Sequence, residues 1–233
     1  MTTDTPLAEF IPTHAVSPAI HADDINVRWV MPEIFHDLPV QETDEDEAVR
    51  LLEELADKAL PGASEEDRTR LAVICALSTG DLMAATVDYA SICVTAVDEA
   101  LCTATVFVSL TDSPEAPGGV RGATKAIASG LRRTGTDEVT EVELPCGLAV
   151  TCIGTRNTKL TGELTDEGEP TNFPTWYIRV YVPLPNDSMV IMEMQTPTMT
   201  GWEVFSTMFG NTVSSLRLFR ADGSRLITSE AGE

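Results

Sequence analysis

The chain has 233 residues, 43% of them hydrophobic, and sets 37 Asp and Glu against 15 Lys and Arg, a formal net charge of −22. A compact chain of this length buries roughly 70–75% of the surface its unfolded form exposes, so a sizeable core is expected. The negative excess argues against binding the phosphates of DNA or RNA and against docking on anionic membranes; it suits a protein that resists self-association or meets a basic partner.

Residues 1–24 are rich in Thr, Pro, Ala and His without a clear period and read as a flexible leader. They lack the basic and apolar regions of a secretory signal. No stretch approaches the roughly 20 uncharged apolar residues that span a bilayer. "INVRWVMPE" supplies a first strand that ends at Pro32. A helix then runs from Asp44 to Leu60, with Asp44, Glu45 and Asp46 at the positive end of its dipole. Val49, Leu52, Leu55, Ala56 and Ala59 repeat at helical spacing.

Ser64 caps a second helix whose apolar side is Leu71, Ile74, Cys75 and Leu77 and whose stop is Gly80. From residue 81 the composition turns to Val, Thr, Ile and aromatics, which reads as two strands joined at Asp98-Glu99-Ala100. A Gly- and Pro-rich loop precedes a third helix marked by Ala123, Ile127 and Leu131. Strands on either side of Leu144-Pro145-Cys146-Gly147 follow, then a long polar loop over about 157–172. "TWYIRVYVPL" alternates cleanly: Trp176, Ile178, Val180 and Val182 take one face, and Tyr177, Arg179 and Tyr181 the other. A Pro185-Asn186-Asp187 turn joins it to "SMVIMEMQT", completing a hairpin.

Thr200-Gly201-Trp202-Glu203 has the form of a capping box. Trp202, Phe205, Met208, Phe209, Thr212, Val213, Leu216 and Phe219 then recur three or four apart, predicting an amphipathic helix of roughly five turns. A membrane-surface helix would carry Lys and Arg along its polar face. Here Arg217 and Arg220 come only at the end, so the stripe is expected to pack on a sheet.

The run "ELPCGLAVTC", followed by "WYIRVYVPLPNDSMVIMEMQTPTMTGWEVFSTMFGNTVSSL", is similar in layout to a group of uncharacterised actinobacterial proteins. That layout resembles the PsbP-like fold, an antiparallel sheet with helices on its faces, known from the photosystem extrinsic protein and from Mog-type import factors. The resemblance covers roughly Glu141 to Phe219 and implies a scaffold that works by binding, with no common active site. Where members of the group carry Leu-Phe-Asp in the last helix, this chain has Met208-Phe209-Gly210.

The expected fold is therefore α+β: one domain over 25–220, with six or seven antiparallel strands covered by helices, and a disordered tail over 221–233. No motif carries recognisable chemistry. His14, His21 and His36 all precede the main pattern, so a nucleophile–histidine pair has no partner inside it. Five widely spaced cysteines suggest neither a zinc site nor a disulfide framework, and a reduced, cytoplasmic setting follows. "GGVRGATK" leads into a helix without P-loop spacing, and "TDEDE" lacks the glycine and terminal glutamate of a calcium loop.

The leading expectation is a non-enzymatic, cofactor-free module that binds another protein, a basic one being among the candidates, with no nucleic acid and no membrane partner. The alternatives are a pocket between sheet and helices for a small molecule, enzymatic or not, and an immunity-like or chaperone-like partner of a basic effector. Candidate binding residues are Tyr177, Arg179 and Tyr181 on the strand, and Asp44, Glu45 and Asp46 at the acidic helix start.

Overall fold

β-Branched and aromatic runs separated by tight turns build the centre of the molecule, seen in a computed structural model that describes residues 15–16, 18–135, 137–160, 169 and 171–226. The strands β5 (Phe35–Asp37), β6 (Tyr89–Val97), β7 (Ala100–Asp112), β8 (Glu138–Leu144), β9 (Gly147–Leu160), β10 (Thr171–Pro183) and β11 (Ser188–Thr196) form one seven-stranded sheet. Its order is β5-β6-β7-β11-β10-β9-β8, and every pairing is antiparallel. The fold is α+β, with helices on the sheet.

The two faces are covered differently. On one lie α4 (Trp202–Ser214) and a four-stranded sheet of β13 (Arg225–Leu226), β12 (Arg217–Arg220), β3 (Ile25–Arg28) and β2 (Ala19–Ala22). Trp29, Phe205, Phe209, Met192, Met194, Leu216 and Leu218 are buried in this core. The opposite face carries α1 (Glu45–Ala59) and α2 (Glu65–Ala84) near β5 and β6, and α3 (Gly119–Thr134) over β8, β9 and β10. Between them the floor of β7, β11 and β10 is only half covered, with Thr105, Phe107, Ile191 and Gln195 of intermediate exposure.

The C-terminal stripe points inward as expected: Phe205, Met208, Phe209, Thr212 and Val213 are buried, and Trp202 is half-buried. Its last part is not helical. α4 ends at Ser214, where the Arg217 guanidinium donates to the carbonyls of Ser214 and Leu216, and the chain then pairs with β3 as β12. Leu218, in an alternating Arg-Leu-Phe-Arg segment, stays fully buried by this route. The expected capping box does not form. A 3-10 turn at Met199–Gly201 leads into α4, the helix cap is Gly201 in a helical conformation, and no side chain caps it. Thr200 lies inside that turn, not in the extended conformation an N-cap hydroxyl needs.

Other boundaries also move. α2 passes through Gly80 to Ala84, because one interior glycine costs only about 1 kcal/mol while Cys75 and Thr79 keep the inner side buried. Strands β9 and β10 extend to Leu160 and from Thr171, into the segment expected to be loop; residues 161–168 and 170 lie outside the described part. The domain limits at 25 and 220 are both crossed. β2 pairs with β3, β1 (Ala15–Val16) with β4 (Met31–Pro32), and β13 with β12. The remainder of the expected leader and tail, 1–14, 17 and 227–233, is outside the described residues.

Candidate functional site

Counting back from the Pro185-Asn186-Asp187 turn puts Pro183 opposite Met189 and therefore Arg179 opposite Glu193. Arg179 also faces Cys152 on β9, and Glu193 faces Phe107 on β7. This row crosses the half-covered floor of the sheet. Glu193 is 0% exposed, although it interrupts the apolar run of β11. A buried carboxylate is costly unless its charge is matched. Here the Arg179 Nε donates to Glu193 Oε2, and Arg156 Nη2 lies 2.6 Å from Glu193 Oε1. Arg156 also donates to the Gln195 side-chain carbonyl.

The tyrosines complete the group. Arg156 and Arg179 place their guanidinium carbons 5.3 and 5.5 Å from the Tyr177 ring centre, within cation–π range. Arg179 Nη1 donates to the Tyr181 hydroxyl at 3.1 Å. The Tyr177 hydroxyl donates to Asp137 Oδ2 at 2.6 Å, and the Cys152 thiol reaches the same oxygen at 3.7 Å. Gly154 is small of necessity, since a Cβ there would lie 2.1 Å from Asp137 Oδ1.

Electrostatics fixes the state of three of these groups. Burial, then the bond to Asp137, pushes the Tyr177 phenol up, and burial with the Asp137 charge raises the Cys152 thiol. Burial works against the Arg179 charge, but Glu193 and Tyr181 more than offset it and the guanidinium stays protonated. The cluster offers fixed donors and stacked rings at a half-open surface. Tyr177, Cys152 and Arg179 are thereby held away from acid–base exchange near neutral pH.

The structure thus brings Tyr177, Arg179 and Tyr181 together. Both tyrosines are buried at 8%, packed in one cluster with Ile127 and Ala128 of α3. Arg156, Asp137, Glu193 and Gln195 escaped the sequence reading. The hairpin register could have found Glu193, since a lone carboxylate opposite an arginine is visible once the turn is placed. Arg156 and Asp137 depend on the β8–β9–β10 pairing, which needs the tertiary structure.

Asp44, Glu45 and Asp46 form a separate, exposed group on α1, whose sheet contacts are with β5 and β6. Asp44 is the helix cap, accepting from the Asp46 and Glu47 amides at 3.0 and 3.1 Å. The start of α3 is not set up for an anion, because Asp112, Glu115 and Asp187 line the 790 Å³ cleft beside its preceding loop. His36 corrects another expectation. It lies in β5, inside the main sheet, and lines a 360 Å³ cleft with Glu54 and Lys58 of α1. No described group of three His, Cys, Asp or Glu is placed to hold a metal.

A third feature is the outer side of α2. The helix buries only Cys75 and Thr79, yet Val73, Ile74, Leu77 and Met83 are 50%, 37%, 45% and 43% exposed. It is apolar on both sides, a pattern that belongs to helices covered all round. No protein-family model matches the chain, and no curated protein matches its sequence. No described helix is long and apolar enough to cross a membrane.

Proposed function

We propose that the chain is a non-enzymatic, cytoplasmic module that works by binding another protein, and that the outer side of α2 is a contact surface. The observation that carries this reading is the exposure of Val73 and Leu77 on the outer face of α2, with Ile74 and Met83 exposed on its two flanks, on a helix whose inner side is already packed. Exposed apolar area of this kind marks interaction surfaces. A layout of antiparallel sheet with helices on its faces fits the PsbP-like kinship proposed from the 141–219 segment and its use as a binding scaffold. Five cysteines present as thiols suit a reducing compartment.

Photo-crosslinking in cells tests the contact, with the reactive residue at Met83 and a control at Leu101, which is 65% exposed on β7. Protein adducts from position 83 and none from 101 are expected. Equal labelling, or no protein adduct from position 83, overturns the proposal.

A second reading, a small-molecule site, draws on the half-open Arg156–Tyr177–Arg179–Glu193 group. It requires a ligand whose binding is lost in Arg179→Leu while the fold is kept. A basic effector as partner draws instead on the exposed carboxylates from Asp44 to Asp46, and its binding would weaken steeply with salt.

A further inference from the structure

We propose that the open edge of the main sheet at β5 takes up an extended, basic segment of another protein as an added strand, with side chains of that segment seated in the cleft beside α1. This goes beyond the α2 contact and does not rest on it. β5 is an end strand of the sheet, paired only with β6. The register fixes which of its backbone groups face outward. The Leu38 N–H donates to the Ala90 carbonyl at 2.9 Å, and hydrogen-bonded positions alternate along an antiparallel strand. His36, opposite Ile92, therefore also bonds to β6, while Phe35 and Asp37 turn their N–H and C=O groups away from it. Among the described residues no turn or loop backbone group bonds to either of them. Such an edge is a template for another strand.

The 360 Å³ cleft lies at this edge. All of β5 lines it, with Leu51, Glu54, Leu55 and Lys58 of α1 across from the strand. Phe35 belongs to the core on the α4 side and Leu38 to the core on the α1 side, so a cleft that touches both opens at the rim of the sheet and not on one face. Its charge selects the occupant. The Tyr89 hydroxyl donates to Asp37 Oδ1 at 2.6 Å and holds that carboxylate in place, leaving Oδ2 for a ligand. Glu33 lines the same cleft. Among the described residues neither Asp37 nor Glu33 has a lysine or arginine partner, whereas Glu54 is matched by Arg50 and Lys58.

Residues opposite each other on paired strands send their side chains to the same face. A lysine opposite Asp37 therefore sets its ammonium against the open carboxylate oxygen. The next residue of the segment, opposite His36, projects to the α1 side, where Leu38, Leu51 and Leu55 offer an apolar wall. The segment that fits alternates basic and apolar residues. The net charge of −22 draws such a segment in and repels an acidic one. Because β5 spans only Phe35–Asp37, backbone pairing is limited and the cleft side chains set the specificity.

The test is an NMR titration of the full chain with a short peptide of alternating lysine and valine, N-acetylated and C-amidated. Amide shifts are expected along β5 and at the α1 residues of the cleft, and at saturation the Asp37 amide should exchange with solvent at least about tenfold more slowly. The same peptide N-methylated at its lysines lacks the donors that face β5 and should bind at least about tenfold more weakly. Asp37→Asn keeps an acceptor for Tyr89 and should weaken binding about threefold. A glutamate–valine peptide should not bind. No shift at the cleft overturns the proposal, as does an Asp37 amide whose exchange is unchanged in the bound state, or equal binding of the N-methylated or the acidic peptide. Butylamine binding as tightly as the peptide would make the cleft a small-amine pocket and also overturns it. Peptide shifts confined to α2 would remove this site and leave the α2 contact standing.

Discussion

Glu193 shows how a single residue can reorganise a surface. Its carboxylate lies in an otherwise apolar strand, fully buried, and holds two arginines onto the sheet. Removing one partner of a buried ion pair leaves the remainder uncompensated, typically at about 3–5 kcal/mol. The Arg179 and Arg156 side chains are 31% and 36% exposed, so water relieves part of this. Glu193→Gln is expected to cost about 2–3 kcal/mol, read from the urea midpoint. A double-mutant cycle with Arg179→Met should show strong coupling, and additive effects would deny that the two act together.

His36 adds a pH dependence. Burial, with Lys58 nearby, lowers its pKa from the ordinary value, while Asp37 acts the other way. The folded state therefore favours the neutral ring, and the unfolded chain takes up a proton first as pH falls below about 6.5. This contribution to stability is complete above that pH and lost below it. Unfolding midpoints between about pH 5 and 8 should lose part of their acid-side slope in His36→Gln.

At the scale of elements, turns and helix ends set the register. β6 and β7 are joined by Asp98-Glu99 alone, with φ of 48° and 64°. Both residues sit in the left-handed region that a tight two-residue hairpin demands and that side chains disfavour. Glu99→Gly should stabilise the protein by about 0.5–1 kcal/mol, seen as a higher urea midpoint at unchanged slope.

Gly201 is the opposite case. A Cβ there would lie 2.4 Å from a Phe205 ring carbon and 3.1 Å from Cys102 Cβ, and Phe205 is fully buried. Gly201→Ala should cost about 1–3 kcal/mol through overpacking, although alanine is the better helix former. A neutral outcome in thermal denaturation would mean that α4 shifts freely on the sheet. The glycine reads in the sequence as part of a capping box, and its actual role is close packing. Local spacing cannot separate the two, because the decisive neighbour, Cys102, is about a hundred residues away along the chain.

For the whole molecule, the cysteines report cooperativity. All five are buried thiols, and burial pushes Cys75 and Cys146 up to about 11 and Cys93 up to about 12. They are distributed over α2, β6, β7, the β8–β9 turn and β9, so they sample nearly every layer. Native protein at mildly alkaline pH should react with a thiol reagent only as fast as it opens, with all five labelled together on global unfolding. Early labelling of Cys75 alone would show α2 detaching independently of the sheet.

Chain order and composition already contained the α+β class, the Asp44–Leu60 helix to within a residue, the β10–β11 hairpin and the inward stripe of α4. Each depends on spacing between neighbours in sequence, where periods of two and 3.6 act directly on the backbone. The tertiary structure alone decided that α2 runs past Gly80, that residues 217–220 form a strand, and that residues near both ends complete a second sheet. It also decided that Glu193, Arg156 and Asp137 gather around Tyr177. These outcomes depend on which distant segment supplies a hydrogen-bond partner or a counter-charge, a quantity that no local period encodes.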